Sequence, residues 1–346
     1  MIPYWILFLI PALAVMTATG HRQHKQIVPI FLFVSLASLM IGMRFEVGGD
    51  WGAYLRIFSS IKDLSSVDLL ISTDMGYSAL NSLMNQWGWG IYGVNLVCGF
   101  IFMAGLAAFS LRMPNPWIAI MVAVPYLLTV VAMGYTRQAT ALGFEFFALT
   151  ALTRRKYWKF YMYIICGALF HKTAIVLMLL GLFSGSNRFS LRRICLGLIV
   201  IYLSMNAFIA DYYEVLFKNY VDAQMQSSGA LIRVMMNVLP ATLLLLLYPK
   251  WRKRVDVNSV WILFALASLA CLGLLTVAST AVDRMALYLA PLQLYVWSNM
   301  SLVIKASWLR GAIVLYHAAV LLVWLNYATH SKYWLPYQSI IFVDIF

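Results

Sequence analysis

Apolar segments of helical length alternate with short polar or basic connections along almost the whole chain. Segments of this kind lie near residues 2–19, 27–43, 90–111, 116–133, 136–153, 191–209, 232–248, 258–279, 285–300 and 309–325. A helix needs about 20 mainly apolar residues to cross about 30 Å of hydrocarbon. The pattern therefore predicts an all-α polytopic membrane protein with about 10–12 transmembrane helices, folded as a single transmembrane domain over residues 1–346.

Residues 157–184 depart from this pattern, because basic residues flank the apolar run on both sides. A run of about 25 residues is too short to cross the membrane twice at full length. It therefore predicts a short helical hairpin, broken near Phe170, His171 and Lys172, that enters the membrane and returns to the same side. Non-helical backbone at that depth is tolerated beside a cavity, which His171 would face.

Composition supports the membrane assignment and sets the orientation. Hydrophobic residues make up 63% of the chain and charged residues 11%, with a net charge of +13. The basic clusters at 21–25, 154–159 and 250–254 lie between apolar segments, which is typical of cytoplasmic anchors and not of a nucleic-acid site. The first segment lacks preceding basic residues, so we expect a retained helix. This orientation places loops near 44–78 and 210–231 on the outer face. Residues 75–89 predict an amphipathic helix at the interface.

Several ionisable residues lie at or near the outer ends of the predicted helices. They are Arg44, Glu46, Asp50, Asp74, Arg137, Glu145, Asp283 and Arg284, and His171 points towards the same side. Charges at membrane depth are costly and usually line a pathway or site. Arg137 and Glu145 share a helix face, so they form either a structural ion pair or a substrate site. Asp283 and Arg284 are expected to open a helix, where Arg284 would suit a phosphate.

Residues 43–58 are the richest of these segments in site chemistry. The Gly48–Gly49 pair allows a sharp turn and close approach of a ligand, because glycine reaches positive φ at little cost. Asp50 follows, with Trp51 and Tyr54 beside it. Arginines on either side are expected to lower the pKa of Asp50 and keep it ionised.

Motifs for nucleotide, serine-nucleophile and zinc chemistry are not found in the sequence, and the four cysteines show no CxxC spacing. We therefore expect no metal or other cofactor. Three or four cations around a carboxylate suit a diphosphate, because guanidinium groups match its oxygens.

Short motifs spread over nearly the whole chain resemble the EpsG family of bacterial exopolysaccharide proteins, which is allied to the Wzy-type polymerases. The motifs are Arg44 with Gly48-Gly49-Asp50 and Tyr54, then Met75-Gly76-Tyr77, Arg137-Gln138, Phe170-His171-Lys172-Thr173-Ala174 and Leu335-Pro336-Tyr337. The resemblance implies a bundle like that of the GT-C glycosyltransferases. It also implies an inner-membrane enzyme that moves a glycan from undecaprenyl diphosphate onto a lipid-linked repeat unit at the periplasmic face. A chain-length regulator protein is a further expected partner.

The chemistry of the implied transfer suggests a role for each candidate residue. Asp50 is expected to be the general base, with Glu46 or His171 as the alternative. Arg44, Arg137, His171, Lys172 and Arg284 would stabilise the leaving diphosphate. The remaining residues expected to bind substrate are Gly48, Gly49, Trp51, Tyr54, Tyr77, Gln138, Glu145, Asp283 and Tyr337, although interfacial belts also explain the aromatic ones. Two other functions stay open: a flippase for lipid-linked glycans, and a membrane acyltransferase that uses His171.

Overall fold

The computed structural model describes residues 1–17, 26–61, 74–183, 199, 202, 229–255 and 257–343, which are almost entirely helical. The α-helices are α1 (Ile2–Thr17), α2 (Ile27–Gly42), α3 (Trp51–Ile61), α4 (Met75–Gln86), α5 (Gly90–Ser110), α6 (Pro116–Ala123), α7 (Thr136–Thr153), α8 (Tyr157–Phe170), α9 (Leu180–Phe183), α10 (Ala230–Leu246), α11 (Tyr248–Arg254), α12 (Ser259–Leu274), α13 (Ser279–Ala286), α14 (Pro291–Val303), α15 (Leu309–Tyr327) and α16 (Ile340–Val343). The predicted helix near 191–209 and nearly all of the predicted loop near 210–231 lie outside the described residues.

The centre of the bundle is formed by α6 and the π-helix Val124–Ala132 that continues it. Every residue of both elements is buried, as expected for a helix that is apolar on all sides. The sequence pattern predicted one α-helix over 116–133 and did not reveal the wider π-helical turns. Around this centre, the buried apolar residues of the described part form one main core and two smaller clusters.

The described part contains helices long and apolar enough to cross a membrane. These are α5 and α15, with a third span if α10 and α11, which meet at a bend of 76°, are taken together. Further apolar helices are shorter, among them Ile2–Thr17, Ile27–Gly42 and Ser259–Leu274. The fold is thus that of a helical membrane protein, while the count of 10–12 spans and the single-domain assignment stay predictions.

The helical hairpin predicted around His171 is present. Helix α8 ends at Phe170, His171 is extended (φ −153°, ψ 107°), and a 3₁₀-helix, Lys172–Leu179, leads into α9. The chain then returns alongside α8, since a Cβ atom on Gly181 would contact Phe160 and Tyr161. The 14 residues of α8 span about 21 Å at about 1.5 Å each. The eight 3₁₀ residues and the four of α9 span about 22 Å, because a 3₁₀-helix rises about 2 Å per residue.

The predicted helix over 285–300 is wrong in its first part. Helix α13 covers Ser279–Ala286, a short 3₁₀ turn follows, and α14 starts at Pro291. Proline lacks the N–H needed inside a helix but fits the first helical position, so Pro291 starts a new helix. Asp283 and Arg284 therefore lie inside α13 and do not open a helix.

Charged residues separate to the two ends of the bundle. The basic helix α11 lies at one end, where the Arg254 guanidinium donates to Leu302 O (3.1 Å). Helix α10 leads from that end to Arg233, which lies about 20 Å from Leu246 along the helix axis. Residues 43–58, the start of α7, the tip of the hairpin and α13 meet at the far end, which holds the candidate site.

Candidate active site

The loop of residues 43–50 turns sharply before α3, and one of its two glycines is required for that turn. Gly48 has φ of +108°, and a Cβ atom there would lie 2.3 Å from Met133 O. Gly49 has no positive φ, and its nearest neighbour would be 3.9 Å away. The predicted need for glycine therefore applies to Gly48, because both its backbone conformation and its close approach to the π-helix exclude a side chain.

The two glycines make a matched pair for a stability test. We expect Gly48→Ala to lower the stability of the protein by about 1–3 kcal/mol or more, the range typical of a strained backbone conformation. Gly49→Ala is expected to leave the melting temperature almost unchanged. Thermal unfolding of both variants in the same detergent checks this, and equal melting temperatures would contradict the assignment.

Arg44 holds this loop from behind and does not face the site. Its side chain is 1% exposed, and it donates to the carbonyl oxygens of Ile41 and Val47. It also donates to Asn95 Oδ1 (3.1 Å) and Thr136 Oγ1 (2.8 Å). The prediction that Arg44 contacts a diphosphate is therefore wrong for this arrangement, because its guanidinium is already enclosed by protein acceptors. Arg44 instead ties the loop to α5 and α7.

The C-terminal segment, residues 331–340, fastens the same loop from the other side. Gly48 N donates to Tyr333 O (2.8 Å) and Phe45 N to Gln338 O (3.0 Å). The indole of Trp334 donates to Thr129 O (2.8 Å). Tyr337 donates to Met40 O (2.8 Å). The predicted substrate contact of Tyr337 is thus replaced by a structural one at the back of the loop.

Asp50 follows the turn and is partly buried. Its electrostatic partners are Arg284 and Arg137. His171 at the tip of the hairpin interacts with the same two arginines. The topology-based prediction that these four residues converge is therefore supported by their positions. The expected direction of the pKa of Asp50 was wrong. Burial raises this pKa, and the two arginines lower it by less than burial raises it.

Asp74 is the carboxylate that holds Arg137. The two side chains form an ion pair of 2.5 Å, with Asp74 6% and Arg137 34% exposed. The backbone amide of Lys172 also hydrogen-bonds Asp74, so this carboxylate joins α7 to the tip of the hairpin. Burial is the main cause of the raised pKa of Asp74, and Arg137 opposes it. On its other side Arg137 lies over the Tyr54 ring, 5.8 Å from the centroid.

Glu145 makes no ion pair with Arg137. It is 1% exposed, and neither carboxylate oxygen has a hydrogen-bond partner among the described residues. Both predicted roles of Glu145, as partner of Arg137 or as a substrate ligand beside it, therefore disagree with the structure. The reason is that Asp74 reaches Arg137 from a different segment. The sequence showed Asp74 as an outer charge but gave it no partner.

The other predicted residues fall into different surroundings. Glu46 is exposed and interacts with Tyr92, which lies beside Trp51. Gln138 is buried and donates to Arg284 O (2.9 Å), so it positions the arginine. Asp283 pairs with Arg233, a residue outside the candidates predicted from the sequence, through two contacts of 2.7 Å.

The aromatic residues beside the site differ in their exposure to solvent. Tyr54 and Tyr77 are 4% and 1% exposed and pack against each other, with 5.8 Å between their ring centroids. Because their faces are covered, the predicted stacking of sugars on Tyr54 and Tyr77 does not fit this structure. Trp51 is partly exposed, with Arg44 5.9 Å from its ring centroid, and can still contact a sugar.

The described residues define a helical membrane protein with a charged, partly buried site at one end of its bundle. Asp50 lies there beside Arg137, Arg284 and His171, with Lys172 at the hairpin tip, and these five residues form the Asp50 cluster.

The family model named EpsG family matches residues 27–339, so the chain belongs to the EpsG family of exopolysaccharide and O-antigen polymerase-like proteins. A comparison with curated proteins found no match, and a comparison with solved structures found none. Family membership confirms the resemblance derived from the motifs and indicates a polysaccharide polymerase-related function.

Proposed function

We propose that this protein is a glycosyltransferase that polymerises lipid-linked oligosaccharides. It transfers a glycan from undecaprenyl diphosphate to the non-reducing end of a lipid-linked repeat unit. The observation that supports this best is the placement of one partly buried carboxylate, Asp50, beside Arg137 and Arg284. That set supplies a proton acceptor and cations for a diphosphate, which are the two functions that the transfer needs.

Asp50 is the general base of the proposed reaction. The acceptor hydroxyl loses its proton as its oxygen bonds to the anomeric carbon, and Asp50 accepts that proton. A base works best when its pKa lies nearer the operating pH than that of a free carboxylate. Burial raises the pKa of Asp50, which brings it nearer to the operating pH.

The raised pKa predicts a pH dependence of chain growth. Activity needs ionised Asp50, so the rate falls as the pH drops through the pKa of this group, above the ordinary aspartate value of about 3.9. Arg284→Ala removes a charge that lowers this pKa. We therefore expect the acid limb of kcat/KM to move to higher pH in this variant. Initial rates between pH 4 and about 9 test it, and a limb that stays or moves to lower pH would contradict the assignment.

The leaving diphosphate is stabilised by the cations around Asp50. Arg137 is partly exposed and held by Asp74, so its guanidinium can meet an oxyanion without rearranging. Arg284 is positioned by Gln138, and Lys172 and His171 lie at the hairpin tip. Fixed cations in a partly buried site stabilise developing charge more than the same charges do in water.

The orientation follows from the basic residues. Helix α11 and the cluster at 154–159 are typical of the cytoplasmic side. The candidate site lies at the other end of α10, so we place it at the periplasmic face of the bacterial inner membrane. The protein would bind lipid-linked repeat units on that face and would contact a chain-length regulator there.

The direct test uses purified protein in nanodiscs with the undecaprenyl-diphosphate-linked repeat unit and no nucleotide sugar. A ladder of longer glycans with release of undecaprenyl diphosphate is expected. Transfer of intact units between leaflets of a liposome without extension would favour a flippase. Wild-type protein that leaves the unit unextended but acylates its glycan, with acylation lost in His171→Ala and kept in Asp50→Asn, would favour acyl transfer.

A further inference from the structure

An apolar groove runs between α10 and α15 beside the candidate site. Its volume is about 590 Å³, and its walls include Met235, Met236 and Leu239 from α10 and Val320, Val323 and Trp324 from α15. Pro125 and Tyr126 of the π-helix also line it. Methionine side chains adapt to irregular apolar shapes, so these walls suit a flexible chain of hydrocarbon.

The groove is long enough to cover about half of the hydrocarbon thickness of a membrane. Along α15 it extends from Tyr316 to Tyr327, which is about 16 Å, or about half of a hydrocarbon core about 30 Å thick. Its outer end is polar and is formed by Arg233, Thr329 and His330. This length accommodates the part of a lipid chain next to its headgroup, and the polar end lies on the side that the site faces.

The polar end of the groove continues into the Asp50 cluster. Asp283 binds Arg233 at the groove through two contacts of 2.7 Å, and the next residue, Arg284, interacts with Asp50. Tyr135 interacts with Arg233, Asp50, Asp283 and Arg284, so it lies between the groove and the site.

Cationic side chains exceed carboxylates at this outer end. Four cationic side chains gather there and at the adjoining site, against three carboxylates: Arg137, Arg233, Arg284 and Lys172 against Asp50, Asp74 and Asp283. The excess of positive charge at the end of an apolar groove matches a lipid with an anionic headgroup.

We infer that this groove binds the polyprenyl chain of the donor, and not of the acceptor, in the glycosyl transfer. The inference rests on the proposed function. During transfer the bond between the anomeric carbon and the diphosphate oxygen breaks, and the diphosphate leaves with the electron pair. The acceptor oxygen forms the new bond and releases its proton to Asp50. The donor diphosphate must therefore lie at the Asp50 cluster, where the groove ends. The acceptor diphosphate is attached at the other end of its glycan, a whole repeat unit away.

A crosslinking experiment tests the lipid site without requiring turnover. A photoreactive undecaprenyl diphosphate without glycan is bound to the full-length protein in nanodiscs, and crosslinked residues are mapped by mass spectrometry. We expect crosslinks on α10 and α15, lost on competition with unlabelled undecaprenyl diphosphate but retained with phosphatidylglycerol. Ala319→Trp fills the groove and is expected to lower crosslinking by about tenfold. Ala312→Trp is the matched control, because Ala312 is an exposed residue of α15 outside the groove.

A kinetic experiment separates donor from acceptor. The donor is a lipid-linked unit blocked at its non-reducing end, and the acceptor is a unit joined to the lipid through a non-cleavable phosphonate. Ala319→Trp is expected to raise the KM for the blocked donor by about tenfold. The KM for the acceptor is expected to stay at the wild-type value. Ala312→Trp should change neither.

The outcomes distinguish this inference from the proposed function. Crosslinks in the groove with no glycan transfer by wild-type protein would remove the polymerase function but keep the lipid site. Transfer with crosslinks elsewhere would overturn the groove assignment and leave the function. Competition by phosphatidylglycerol, or a rise in the acceptor KM as large as that of the donor, would also overturn it.

Discussion

Replacing Asp50 by asparagine is expected to lower the rate of the proposed chain growth by about a hundredfold to ten-thousandfold, the contribution typical of a general base. Asparagine keeps the shape of the side chain but cannot accept the proton of the acceptor hydroxyl. The effect is expected on kcat, because in the proposed reaction Asp50 accepts the hydroxyl proton as the new bond forms. Release of undecaprenyl diphosphate in nanodiscs gives the rate, and crosslinking of the lipid probe shows whether the variant still binds.

Two comparison variants decide whether Asp50 is the base. Glu46→Gln changes an exposed carboxylate that interacts with Tyr92 and is four residues away in sequence. His171→Ala removes the other alternative base. A larger loss of rate in either variant than in Asp50→Asn would move the role of base to that residue.

Replacing Arg137 by alanine is expected to lower kcat by about a hundredfold to a thousandfold, the cost of removing one group that stabilises developing negative charge. The variant also leaves Asp74 buried without its main cation, which adds a structural cost. Arg137→Lys should recover only part of the activity, since an ammonium group cannot form the paired contacts of a guanidinium. Arg56→Ala is the matched control, because Arg56 is an exposed arginine on α3.

Asp74→Asn separates positioning from direct contact with substrate. The substitution keeps the size of Asp74 but removes the charge that holds Arg137, and a charge-assisted hydrogen bond contributes about 1.5–3 kcal/mol. We expect a loss of kcat of about tenfold to a hundredfold, with little change in the KM. Melting temperatures report folding separately. A wild-type rate in Asp74→Asn would show that Arg137 needs no support from this carboxylate.

The hairpin shows how far the sequence could predict the site. Basic residues on both sides of one apolar run required the chain to return, and that requirement placed the break at His171, where the structure has it. The same charge distribution directed Asp50, Arg137 and Arg284 to one end of the bundle. The predicted convergence of these residues needed only helix lengths and the distribution of basic residues.

The roles of individual charges were harder to predict. Arg44 and Arg137 each adjoin polar loop residues in the sequence, yet Arg44 is enclosed by carbonyl and side-chain acceptors while Arg137 is partly exposed. Glu145 had the right helical spacing to pair with Arg137, but Asp74 occupies that position from 63 residues away. Spacing along a helix indicates which of its own groups can meet. It does not indicate whether a group from another segment lies closer to one of them.

The sequence by itself determined that this is a helical membrane protein, that its chain reverses at His171 and that its acidic and basic site residues lie at one end. Hydrophobic length and charge at the helix ends suffice for these features, because each depends on one segment and its contact with lipid or water. Only the tertiary structure decided that Asp74 holds Arg137, that Arg44 and Tyr337 support the loop of Asp50 and that burial raises the pKa of Asp50. Those features depend on contacts between segments far apart in the chain, and on how deeply each group is buried when they pack.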